Sequence, residues 1–234
     1  PFSSVGDLIR GAENYNPWAE FLLGVCYMEG IGVQKNPKRA EELMRLSGRT
    51  GLVIAAVLQA QMMLSRGVPS PEEREELRLI LYYHSFYHLK LITLRLLTAY
   101  TGIGGDQNKK WAADQAVKHY RGEDLYLDMA RRSERLYAVA EKYSQGIPQL
   151  WRVVARMHSR YERMLKDRDP DLDYLVARLM EEGVYVKKDP KGALTLYKKA
   201  SEAAHPAACA GAARCYRLGI GTVKNPVEAA AYEN

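Results

Sequence analysis

The chain has 234 residues, 47% of them hydrophobic and 26% charged, with a net charge of +6. That balance suits a globular protein with an ordinary core and excludes a disordered, fibrous or collagen-like chain. No apolar run approaches the ~20 residues a membrane-spanning helix needs, because the best candidate, 52–64, is broken by Gln59 and Gln61.

In chain order, the elements are set by near copies of one stretch. Val5, Leu8 and Gly11 stand at the same distance from the following proline as Leu194, Tyr197 and Ala200, so residues 1–15 read as half a repeat. The stretch Gly30-Ile-Gly-Val-Gln-Lys-Asn36-Pro37-Lys-Arg-Ala40 then recurs at 102–112, 183–193 and 219–229, each copy with Asn or Asp six positions after its first Gly. The loop glycines Gly30, Gly67, Gly102, Gly146, Gly183 and Gly219 are 37, 35, 44, 37 and 36 residues apart. This self-similarity predicts repeats at 16–52, 53–88, 89–130, 131–168 and 169–204 and an incomplete one at 205–234.

Each repeat predicts a helix A, a loop and a helix B. Pro17, Pro170 and Pro206 precede their loop glycines by 13 residues, and proline is favoured at the first helical position while glycine past a helix end takes the left-handed conformation. Helix B is expected to start at Pro37, Pro71, Lys109, Pro190 and Pro226, behind the N-caps Asn36, Ser70, Asn108, Asp189 and Asn225. Ser70 and Glu73 have the spacing of a capping box. With the proline as position 1, Ala19, Leu23, Cys26 and Gly30 share a face, as do Ala208, Ala212, Cys215 and Gly219. Small residues at position 8 (Gly24, Ala140, Ala177 and Ala213) admit a neighbouring helix. Helix pairs of this kind bury a face only by stacking, so one all-α solenoid over 1–234 is expected.

These residues resemble the Sel1-like repeat family, relatives of the tetratricopeptide repeats. The carriers are Ala19, Leu23, Gly24, Tyr27, Gly30, Gly32, Val33, Asn36, Pro37 and Ala40 in repeat one and Ala212, Tyr216, Gly219, Gly221, Asn225, Pro226 and Ala229 in repeat six. Repeat four departs most, with its loop cut to Gly146-Ile-Pro148 and about eight extra residues before it near His119 to Met129. The resemblance implies a right-handed α/α superhelix with helix A lining the concave side, and a role as adaptor or assembly scaffold.

Positions 2, 5, 9 and 12 of helix A lie away from the packing face and are the expected concave residues. They give an apolar end at Trp18, Phe21, Val25 and Met28, and a polar end that includes Tyr137, Glu141, Tyr174, Arg178, Arg214 and Arg217. Such a groove suits a protein segment held in register, although Trp18 and Phe21 would serve equally well as packing under another repeat. Residues 109–166 hold 13 Lys and Arg against 7 Asp and Glu, which accounts for the whole net charge. Within them Arg152, Arg156, Arg160 and Arg163 recur at helical spacing, either as a solvated outer face or as a dock for an acidic protein or RNA backbone. The first reading is therefore a protein-interaction scaffold or complex subunit, and the alternative a helical-repeat RNA-binding or ribosome-associated subunit.

Catalysis is not indicated. Gly102-Ile-Gly-Gly105 lacks the Lys and Ser/Thr of a phosphate loop and aligns with the other repeat loops. His84 and His88 have the spacing of a metal pair but no third ligand, and His119, His158 and His205 have no local nucleophile, so neither metal nor cofactor is expected. Cys209 and Cys215 are six apart and Cys26 is far from both in sequence, which speaks for buried thiols and a reducing setting. The expected location is intracellular, in the cytoplasm or an organelle such as the mitochondrion.

Overall fold

The computed structural model describes residues 1–234 apart from 86–87, 104–106, 122–125 and 234, and the side chains of 89 and 126–132 are also outside it. Part of the repeat-three loop and part of the extra stretch before repeat four therefore lie outside the described residues. Everything described is helix or connection, in thirteen helices.

The helix starts fall where side-chain caps and prolines place them. The first is α1 (Val5–Glu13), opened by a Ser4 and Asp7 capping box. Next come α2 (Pro17–Glu29), capped by Asn16, and α3 (Pro37–Arg49), capped by Asn36. They are followed by α4 (Val53–Ser65), α5 (Pro71–His84) with the Ser70 and Glu73 box, and α6 (Leu89–Thr101). α7 (Lys109–Arg121) is followed by α8 (Tyr126–Ser144) and α9 (Pro148–Asp167). The chain then runs through α10 (Pro170–Glu182), α11 (Pro190–Glu202), α12 (Pro206–Leu218) and α13 (Pro226–Ala231). Gly30, Gly183 and Gly219 close α2, α10 and α12 at φ of 76°, 69° and 75°, each amide donating back to the carbonyl four residues earlier.

Two compact units result, each discontinuous in sequence. The first comprises Pro1–Ile92 with Leu125–Asp167, the second Thr93–Asp124 with Arg168–Asn234. The all-α fold of repeated helix pairs is as expected, while the two units group those pairs out of chain order. The repeat-four hairpin, α8 and α9, packs with α2 and α4 in the first unit, and α10 of repeat five packs on α7 of repeat three in the second. α8 and α9 have 19 and 20 residues where most of the others have 13.

In the first unit α2 is apolar around its whole circumference, and every residue from Ala19 to Cys26 is buried. α1 and α3 pack against it, and α8 and α9 make contact as well. The core joins Leu8, Phe21, Leu22 and Met44 to Tyr137, Leu150, Val154 and Tyr161. Chain start and hairpin are tied directly, since the Phe2 amide donates to the Tyr143 carbonyl at 3.0 Å. Gly146 owes its place to this contact and not to a left-handed φ: a Cβ there would lie 2.3 Å from the Phe2 carbonyl oxygen. The second unit is built on alanines of α7 (Ala112, Ala113 and Ala116) and on Leu175, Val176, Leu179, Ala193, Tyr197 and Ala212.

Candidate interaction surfaces

α9 buries Leu150, Val154 and Tyr161 and turns Arg152, Arg156, Arg160 and Arg163 to solvent. Among the described residues none of these four makes an ion pair, whereas Arg39, Arg45, Arg66, Arg78, Arg178, Arg214 and Arg217 each meet a glutamate. Like charges one turn apart weaken a helix by ~0.2–0.5 kcal/mol per pair. The face is thus maintained against local helix stability. Trp151 lies at its edge with 40% of its surface exposed. The basic segment is divided between the units, with α7 in the second and α9 in the first.

Under the arginine face lies a cluster of rings. His88 is buried, accepts the Lys90 amide at Nδ1 (3.1 Å) and therefore donates from Nε2 to the Tyr137 hydroxyl at 3.2 Å. Burial holds its imidazole down at about 3, far below the usual histidine range, and pushes the Tyr137 phenol up. His88 also stacks near Tyr161 at 4.3 Å, and Tyr137 lies parallel to His158 at 5.9 Å. The candidate concave residues Tyr137 and Glu141 are thus engaged internally, Glu141 through His158 Nδ1 at 2.5 Å. His84 and His88 do not form a site together, because both ring nitrogens of His88 already have partners.

The apolar end of the expected groove is closed by the chain itself. Phe21 and Val25 are fully buried, and the Trp18 ring stands 5.4 Å from Tyr143 of α8, with Met28 half-buried beside the same core. The expectation of an open docking patch at these residues is corrected to packing, against the repeat-four hairpin as well as the preceding helix α1.

In the second unit the polar positions form a ladder. Tyr174 accepts from Arg178 at 3.3 Å, Arg178 pairs with Glu182, and Glu182 accepts from the Tyr100 hydroxyl at 2.5 Å. Burial and that carboxylate push the Tyr100 phenol up to about 12. Arg214 and the Tyr197 hydroxyl share Glu181, and Arg217 meets Glu233. A groove missed in the sequence runs between α7 and the 183–189 loop. It encloses about 620 Å³ and is lined by Trp111, Val117, Tyr185 and Val186 with Lys110, Arg121 and Lys187 at its rim. Its only sequence signal was the basic start of α7. Cys26, Cys209 and Cys215 are free thiols.

The sequence model of the Sel1 repeat matches residues 19–51, 171–205 and 206–232. The chain carries Sel1 repeats. The Sel1 matches coincide with the helix pairs α2–α3, α10–α11 and α12–α13. A Sel1 repeat protein from Oxalobacter formigenes has a similar structure, at 19% identity over 97% of this chain and 75% of that one, with a TM-score of 0.51. A protective antigen of uropathogenic Escherichia coli displaying an SLR fold matches at 18% identity with a TM-score of 0.45, and the chain spans 47% of its length. No curated protein matches the sequence. Sel1 repeats commonly mediate protein–protein interaction, and no described helix here is long and apolar enough to cross a membrane.

Proposed function

We propose that this chain is a non-catalytic adaptor or assembly subunit that docks an acidic segment of a partner protein on the arginine face of α9. The observation that carries it is the exposed row Arg152, Arg156, Arg160 and Arg163, which has no carboxylate partner while other arginines of the fold do. Guanidinium groups at one-turn spacing meet carboxylates two at a time and give directional, salt-sensitive binding. The repeat architecture supports the same reading, because stacked helix pairs present side chains from rigid elements.

The test compares affinity purification from native extract for the wild-type chain and for Arg152→Glu with Arg156→Glu and Arg160→Glu. Loss of the same partners from the charge-reversed protein, with unchanged helical content, is the expected result. Equal recovery of partners rejects the α9 face. A gel-shift titration with single-stranded RNA at low salt accompanies it, and tight binding there, with a steep loss on adding salt, replaces the acidic protein by a phosphate backbone.

A further inference from the structure

Glu134 on α8 and His158 and Glu162, one turn apart on α9, bring two carboxylate oxygens and one imidazole nitrogen within 4.8 Å of one another. The imidazole is already oriented. Its Nδ1 lies 2.5 Å from Oε1 of Glu141, and since a carboxylate only accepts, Nδ1 carries a proton and Nε2 is the nitrogen left for a ligand. Nε2 is buried and has no hydrogen-bond partner, and it faces Oε1 of Glu162 at 3.9 Å. A buried polar atom without a partner costs stability, and a cation held between Nε2 and the carboxylate oxygens would supply one.

We propose that Glu134, His158 and Glu162 bind a divalent transition-metal ion of the zinc class, with Glu141 as the outer carboxylate that fixes the imidazole. One imidazole and two carboxylates form a mixed N and O set suited to such ions, while calcium and magnesium prefer oxygen alone. A histidine ligand that donates its second nitrogen to a carboxylate is the usual support for a bound metal. Zinc bonds of about 2.0–2.2 Å require the two glutamate side chains to swing slightly inward, which their rotatable bonds allow. Glu162 is exposed, so a fourth position is open to water. The ligands come from both helices of the repeat-four hairpin, and the ion would pin α8 to α9 where they cover α2.

The experiment titrates the whole chain, first stripped with chelator, with Co²⁺ followed by visible absorption and with Zn²⁺ followed by calorimetry and thermal unfolding. A single site, visible Co²⁺ bands and a rise of the unfolding midpoint with Zn²⁺ are expected. Glu141→Gln should weaken binding ~10–100-fold. Glu162→Gln, at an exposed position, should weaken it at least ~10-fold without lowering the midpoint of the metal-free protein. A featureless Co²⁺ titration overturns the proposal. So does Zn²⁺ binding that is the same in Glu162→Gln and His158→Ala, which would place the ion elsewhere, such as on the free thiols. Metal-independent stability that His158→Gln alone diminishes would make the cluster an imidazolium–carboxylate ion pair, and likewise overturns it.

Discussion

Glu20 lies on α2 with 2% of its surface exposed, and its Oε2 has no hydrogen-bond partner. Burial raises the pKa of this carboxyl above the usual carboxylate value. The folded chain therefore binds its proton more tightly than the unfolded chain, and stability rises as pH falls through the interval between the two pKa values. Near neutral pH the ionised group weakens the fold. Glu20→Gln should raise stability at pH 7 by about 1 kcal/mol, with the gain shrinking toward pH 4, as read from urea midpoints at the two pH values. His88 works in the opposite direction. Its folded pKa of about 3 lies below the ordinary 6.5, so its contribution is fully present above pH 6.5 and is lost as pH falls, at up to ~1.4 kcal/mol per unit. A wild-type chain should lose more stability between pH 7 and 5 than His88→Gln, and equal slopes would contradict the buried neutral ring.

At the scale of the element, α9 shows why a charged stripe is not only a solvated face. Three successive Arg–Arg neighbours at one-turn spacing oppose helix formation, so Arg156→Glu, placed between Arg152 and Arg160, should stabilise the isolated protein by ~0.3–1 kcal/mol. The same change should abolish partner binding on the reading above. A thermal midpoint that falls in this variant would mean that Arg156 has a structural role. The helix starts themselves needed nothing beyond local chemistry: the N-caps Asn36, Ser70, Asn108, Asp189 and Asn225 each bond a backbone amide of the following first turn. What the sequence could not place was the partner of each helix. The apolar surface of α2 was visible in Trp18, Phe21 and Val25, but part of its cover, beyond α1 and α3, comes from α8, more than a hundred residues later.

For the whole molecule, the discontinuous division changes what a local defect should do. Gly183 closes α10 at φ 69°, and an added Cβ would lie 2.7 Å from the Lys188 Cβ. Gly183→Ala should therefore destabilise by ~1 kcal/mol or more and loosen α7 together with α10 to α13. Helices α8 and α9 should keep their protection with α1 to α5, although α9 adjoins α10 in sequence. Hydrogen exchange resolved by segment decides this. Loss of protection spreading from α10 into α9 and not into α7 would show that the repeats stack in chain order. The sequence by itself determined the helices, their caps, the left-handed glycines and the repeat period, because each depends on residues within a turn or two of one another. Tertiary structure alone decided that repeat four packs on repeats one and two, that Phe21 and Val25 are core, and that Glu134, Glu141, His158 and Glu162 converge. Those outcomes rest on contacts between distant segments, set by which apolar faces remain uncovered, and that is not written in the spacing of the repeats.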